Sequence, residues 1–489
     1  MRILAVMLFF PILLSCQFLS FEIDIDNSKY LKGNSEFSGR LFVLMNSDTS
    51  QLALYWPSTS NPQPAFAVDV KNFKPGHKIT IDNTATKWLH SFDELEGYYS
   101  VSVLLDIDTT LNNILAPGNL VSEKQVIKIE KNKTQTFNFQ IDYPIYPYPF
   151  TETDFIKEVQ IESKLLTDFY GTPTNISGAV ILPASYYENS KRVYPVVYVF
   201  PGWGGQRDHI VMGDFNQKRY GMNGFGDEKI YFFMDQQCRY GYHVFANSEN
   251  NGPRDESFIK DFIPIVEKEY RTDGNRFLTG QSSGAWAALW LQIKYPDTFD
   301  GVWAASPDPL DFRNFESIGN IYDSKTNFYY HPSGKNKTHA RKDGKAIISN
   351  YDYLLMETVH GEGYQFGSYE SVFSKRGQDR KPMQLFDRET GRIDTQVSEN
   401  WKRYDLRHII ENAEEDILKI LSKKIHIHVA NDDDYSLDLG VKGFKEITDK
   451  LGLEIEIEFY DGVGQMYGLM HSGIKSIYKW IALALLTNK

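Results

Sequence analysis

Residues 276–291 place three pieces in a constraining order. An apolar run, Arg276-Phe277-Leu278-Thr279, leads into the pentapeptide Gly280-Gln281-Ser282-Ser283-Gly284. The stretch Ala285-Trp286-Ala287-Ala288-Leu289-Trp290-Leu291, which has helical character, follows. A strand, a G-x-S-x-G turn and a helix in that order describe a nucleophile elbow. Its serine sits in a strained turn, so the residues two positions away must lack side chains that would strike the strand or the helix. Ser282 is therefore the candidate nucleophile. The pentapeptide also recurs in ordinary small-residue loops, so the rest of the chain has to supply a base, an acid and oxyanion donors.

Behind such an elbow the triad runs in the order serine, acid, histidine. His471 meets that order: it follows the alternating strand Leu453-Glu454-Ile455-Glu456-Ile457-Glu458-Phe459 and a glycine-bearing loop, and it precedes a final helix over 474–486. His426 and His428 alternate with Ile425 and Ile427, the pattern of a shared sheet face. The strand 424–430 runs into Asn431-Asp432-Asp433-Asp434, where three carboxylates compete for one role. An acid three residues beyond the small residue Ala430 is Asp433, with Asp434 as the alternative acid. Asp308, in Ser306-Pro307-Asp308-Pro309 after the strand 301–305, is a third candidate. Acidic residues here also suit the start of a helix near Leu437.

An oxyanion hole needs backbone N–H groups from the residue after the nucleophile and from the loop after the third strand. The β-branched and aromatic run 194–200 ends in Pro201-Gly202-Trp203-Gly204-Gly205. The expected donors are the N–H groups of Trp203 and Ser283, and the Trp203 indole is a candidate wall for an acyl group.

With these motifs in place, residues of about 157–489 resemble the putative esterase family, the esterase D-like branch of the α/β-hydrolase fold. The family's GHSSGG elbow corresponds to Gly280-Gln281-Ser282-Ser283-Gly284-Ala285, its oxyanion loop to residues 201–205, and its glycine-x-x-aspartate acid turn to residues 430–433. The resemblance implies a triad of Ser282, Asp433 and His471, with no metal and no organic cofactor. It also implies ester substrates, in a family that covers acyl esters of sugars, phenolic acids, siderophores and small thiol adducts. Gln281 and Ala285 depart from the family pattern around the nucleophile without removing a catalytic group, and Ala430, in place of glycine, departs from it three positions before Asp433, where it bears on the register of the acid.

The remaining sequence sets domains and compartment. Residues 1–15 read as a lipoprotein signal peptide: Arg2 is followed by a short apolar stretch and then Leu13-Leu14-Ser15-Cys16, which resembles a bacterial lipobox. Cys16 would be the lipidated residue, tethering an exported protein to a membrane. With Cys16 acylated, Cys238 has no cysteine to pair with and is expected as a packed residue. Residues 16–142 alternate with period two at 40–44, 78–82, 99–103, 126–129 and 136–139, which predicts an all-β sandwich as an accessory domain. A Pro/Tyr linker spans 143–156, and the α/β-hydrolase domain fills 157–489. A polar and aromatic insertion at about 311–422 interrupts its strand–helix alternation and is expected to act as a lid. His331, His339, Glu357, His360 and Glu362 within it match no metal spacing and are expected as solvated residues.

A net charge of −12 without a dense Lys/Arg cluster argues against a nucleic-acid partner. The function expected is a serine ester hydrolase acting on small or carbohydrate-linked acyl esters. The alternatives are an acyltransferase or peptidase using the same triad, or a non-catalytic lipoprotein that binds glycan or a protein partner.

Overall fold

The computed structural model describes residues 18–26, 36–54, 61–207 and 228–463. His471 and Cys16 lie outside them. The chain forms two compact units: residues 1–108, 113–147 and 358–361 make the first, and residues 109–112, 148–357 and 362–489 the second.

The regular structure of the first unit is β among its described residues, apart from the 3₁₀ turn Phe92–Glu94 and the helical residues 358–360. Nine strands share one hydrogen-bonded sheet, antiparallel except that Phe18–Ile25 runs parallel to Thr134–Pro144. The long strand Gly97–Asp106 pairs with Gln125–Ile129 through its first half and with Leu120–Ser122 near its end. Alternation sends Leu19, Phe21, Ile23 and Ile25 into the same core as Leu41, Val43 and Met45 and as Val101, Val103 and Leu105. Phe92 anchors that core, its ring centroid 3.9 Å from Phe66 and 5.4 Å from Phe21. Trp88 is buried in the unit.

The second unit is built on an eight-stranded sheet. Its strands are β1 (Ile156–Glu162), β2 (Asn175–Ile181), β3 (Tyr194–Phe200), β4 (Ile230–Met234), β5 (Thr272–Gln281), β6 (Gly301–Ala305), β7 (Ile425–Asp432) and β8 (Glu456–Val463). They lie in the order β1-β2-β4-β3-β5-β6-β7-β8. Only β2 runs antiparallel to its neighbours, and β3 through β8 are parallel. The central strands read as continuous apolar runs because helices cover both faces of a parallel sheet. Helix α1 (Ser283–Lys294) is buried from Ser283 to Ile293, as a helix apolar all round should be.

Residues 254–269 form one helical stretch in three parts. Arg254–Ser257 is α-helical, Phe258–Phe262 forms a π turn, and Ile263–Glu269 is α-helical again. The wider π turn shifts the angular register, so Phe258, Phe262 and Val266 are buried while Ile265 is 43% exposed.

Between β6 and β7 the insertion folds into a hairpin, Thr338–Lys342 with Lys345–Ser349, and a series of helices that includes α2 (Gln365–Phe373). Two residues expected to be solvated there are buried. His339 is 1% exposed and stacks its ring 3.8 Å from that of Tyr353. Glu357 accepts hydrogen bonds from the N–H groups of Phe366 and Gly367 and so caps the start of α2. Cys238 is buried as expected.

Candidate active site

The elbow at the end of β5 has the strain its sequence implies. Ser282 adopts φ 55°, ψ −128°, in the positive-φ region that a residue with a side chain enters only when its surroundings hold it there. What holds it is a set of backbone bonds: Ser282 N–H donates to Ala305 O (3.0 Å), and Ser282 O accepts from Ala285 and Trp286 (2.9 and 3.1 Å). The two glycines are steric requirements. A Cβ on Gly280 would stand 2.2 Å from Gly284 O, and one on Gly284 would stand 2.0 Å from Phe200 O.

The loop after β3 lies directly against this turn. A Cβ on Gly202 would come within 3.3 Å of Ser282 Cβ. Gly205 N–H donates to Gly202 O (3.0 Å) and Gly204 takes φ 84°, closing a tight turn that leaves the Trp203 N–H outside its own hydrogen bond. Tyr242 Oη–H fastens the far end by donating to Gly205 O (2.8 Å). Ser283 is the first residue of α1, where an N–H has no intrahelical acceptor. The loop that carries Trp203 and the first residue of α1 therefore both adjoin Ser282.

Of the three carboxylates after β7, Asp432 is exposed, Asp434 is half-buried and Asp433 is fully buried. Asp433 Oδ1 accepts from the N–H of Tyr435 (2.9 Å) and Leu437 (3.4 Å), the latter opening helix α3 (Leu437–Lys450). Its other oxygen, Oδ2, is buried with no hydrogen-bond partner among the described residues. Burial pushes this carboxyl up to about 7, and the two backbone donors only partly offset that. Asp434 joins the loop to the insertion instead, its carbonyl accepting from Arg341 N–H (2.9 Å).

Asp308 occupies a different place. It is 3% exposed, and its Oδ1 accepts the Ser282 hydroxyl at 3.2 Å. Burial raises it to about 6 against the hydroxyls of Ser283, Tyr369 and Ser282. Tyr369, on α2, donates to Glu316 Oε1 at 3.0 Å. Glu316 is raised to about 8, first by burial and then by the charge of Asp308, with Asp433 adding to it. Glu316 and Tyr369 were not readable as site residues, because each is an isolated residue of the insertion with no local motif.

Beside the elbow lies a narrow cleft walled by Trp203, Tyr242, Trp286, Asp308, Tyr369 and Phe373. The Trp203 ring meets Tyr364 edge-on at 4.5 Å. His426 and His428 do lie on one face of β7, with His426 stacked on Trp303 at 4.7 Å. Among the described residues, no group of three or more His, Cys, Asp or Glu side chains is placed to hold a metal ion.

The geometry agrees with what sequence comparison finds. The profile of the family described as Putative esterase matches residues 171–483. Among solved structures the chain is similar to a ferulic acid esterase, at 17% identity over 67% of this chain and 97% of that one, TM-score 0.39. An S-formylglutathione hydrolase from Agrobacterium tumefaciens is 14% identical over 68% and 98%, TM-score 0.40. The dipeptidyl peptidase 4 of Porphyromonas gingivalis is 11% identical over 85% and 46%, TM-score 0.38. No curated protein matches the chain. With more than half of its length matched, the chain belongs to the putative esterase family, carboxylic ester hydrolases of the α/β-hydrolase fold.

Proposed function

We propose that the protein is a serine esterase that works through an acyl-enzyme, with Ser282 as nucleophile, His471 as base and Asp433 as the acid that orients it. The observation that carries this reading is the strained Ser282 at the junction of β5 and α1, with glycine-dependent backbone packed on either side. Asp433 is preferred over Asp434 because it is fully buried and has one oxygen without a hydrogen-bond partner among the described residues, as an acid that bonds an imidazole N–H would.

In this mechanism His471 takes the hydroxyl proton while Ser282 Oγ bonds to the ester carbonyl carbon. The carbonyl electron pair moves onto oxygen, where the N–H groups of Trp203 and Ser283 receive it. Collapse breaks the bond to the alcohol, which leaves with the proton from His471. Water repeats the sequence on the acyl-enzyme and releases the acid. Esters of small or carbohydrate-linked acyl groups are the substrate class. Residues 16–142 would serve as a β-sandwich accessory domain, residues 311–422 as a lid, and Cys16 as a lipid anchor holding the exported enzyme at a bacterial membrane.

The test is hydrolysis of p-nitrophenyl esters by the wild-type chain and by Ser282→Ala, with fluorophosphonate labelling of Ser282. Ser282-dependent turnover is expected. Absence of both turnover and labelling would overturn the esterase reading, and membrane attachment that survives Cys16→Ser would overturn the anchor.

A further inference from the structure

One residue of the insertion touches the acid turn on both sides of Asp433. The N–H of Arg341 donates to Asp434 O at 2.9 Å. Its Nη1 donates to Ser436 Oγ at 3.1 Å and lies 3.8 Å from Asp432 Oδ1. Asp432, Asp434 and Ser436, which bracket Asp433 in the chain, therefore all meet Arg341. Between them the ring of Tyr435 meets that of His339 edge-on at 5.6 Å.

The hairpin strand Thr338–Lys342 is built to give this support. Its pairing with Lys345–Ser349 slips on both sides of Ala340, and such irregularities turn the flanking groups away from the ladder. The strand is also fixed at its root. Lys337 is buried, and its Nζ donates to Ile318 O and Asn327 O at 2.6 and 2.7 Å, while its carbonyl accepts from Asn350 N–H at 3.0 Å. A strand anchored in this way can hold a neighbouring loop still.

The acid turn requires such a hold. Ser436 has φ 61°, a conformation that a residue with a side chain keeps only where its surroundings fix it, and its hydroxyl is the atom that Arg341 bonds. Ser436 N–H donates to Asp433 O at 3.0 Å, and the N–H groups on either side of Ser436, those of Tyr435 and Leu437, hold the Asp433 carboxyl. Relaxation of Ser436 would therefore carry that carboxyl with it. The contact with Asp432 adds little, because Asp432 is exposed.

We propose that Arg341 is a positioning residue for the reaction, clamping the turn that presents Asp433. The strand that carries it is then a fixed part of the site inside the insertion otherwise assigned as a lid. The proposal rests on the serine-esterase reading with Asp433 as the acid.

The experiment is a double-mutant cycle on the full chain, comparing wild type, Arg341→Met, Asp433→Asn and the double variant with one p-nitrophenyl ester. Methionine keeps an unbranched apolar stem and deletes the guanidinium, leaving the backbone N–H in place. Arg341→Met should lower kcat by about tenfold, the worth of one good hydrogen bond, with KM unchanged. In the Asp433→Asn background the same substitution should cost nothing further, since a residue that acts through Asp433 has nothing left to position, whereas a merely structural residue would lower both backgrounds alike. Should Arg341→Met fail to fold, Ser436→Ala removes the same hydrogen bond from the other side and is read in the same cycle. Equal losses in the two backgrounds, or no loss of kcat in wild type, overturn the proposal and leave the esterase reading standing. Wild-type turnover in Asp433→Asn overturns the acid assignment and the proposal together.

Discussion

Ser282 Oγ donates its proton to Asp308 Oδ1 across 3.2 Å, so the nucleophile and a buried carboxyl 26 positions downstream are directly bonded. The carboxyl of Asp433 has a different arrangement: one oxygen held by two backbone N–H groups and one left without a hydrogen-bond partner among the described residues. A triad acid bonds the imidazole and not the serine, so the two carboxyls are separable by experiment.

Asp433→Asn should lower kcat by about 10³ to 10⁴, because an amide leaves the imidazole in the wrong tautomer. Asp434→Asn should change turnover little, and Asp308→Asn should cost far less than Asp433→Asn. Steady-state rates on one p-nitrophenyl ester rank the three, and a collapse of activity confined to Asp308→Asn would transfer the acid's role to β6.

Gly284→Ala should be destabilising although it adds one methyl group. That methyl would stand 2.0 Å from Phe200 O, and backbone cannot step aside as a flexible side chain can. A cost of about 1–3 kcal/mol is expected, together with loss of fluorophosphonate labelling as the elbow shifts. Thermal melting and labelling on the same sample check both, and a variant that melts and labels like wild type would show that the elbow has room to move.

Stability should fall as pH rises from about 6.5 to 8.5. Burial holds Glu316 up to about 8, and Asp433 and Glu357 up to about 7. The folded state keeps protons there that the unfolded chain has already released, so this contribution is present at low pH and is lost as pH passes the folded values. His339 and His428, pushed down to about 3 and about 4 by burial, work in the opposite direction, but only below the ordinary histidine range. Glu316→Gln should flatten the slope by about 1 kcal/mol per pH unit. Denaturant midpoints at three pH values measure it, and an unchanged slope would place the titration elsewhere.

Phe21→Ala should weaken the first unit by about 3–5 kcal/mol, the usual cost of emptying a buried aromatic position. Phe21 is fully buried, and its ring packs against Phe92, Phe137 and Phe139 at 5.4, 5.9 and 6.0 Å. Chemical denaturation followed by circular dichroism tests this, and a loss under 1 kcal/mol would mean that the sheet collapses around the gap.

The elbow, the tight glycine-rich turn after β3 and the central strands were legible because each is local. Spacing of two glycines around Ser282, an apolar strand and an adjoining helical stretch encode a turn within a dozen residues, and the period-two runs of the first unit encode strands in the same way. His339 and Glu357 read as solvated by residue type, and packing of the insertion buried them. Composition and spacing by themselves determined the strand–elbow–helix unit and the order of candidate catalytic groups, since those follow from short-range sterics. Tertiary structure alone decided that Asp433 among three adjacent acids turns inward, that Asp308 bonds Ser282, and that Glu316 and Tyr369 join it. Burial and hydrogen bonding between residues tens to more than a hundred positions apart are properties of the packed chain, and no local pattern carries them.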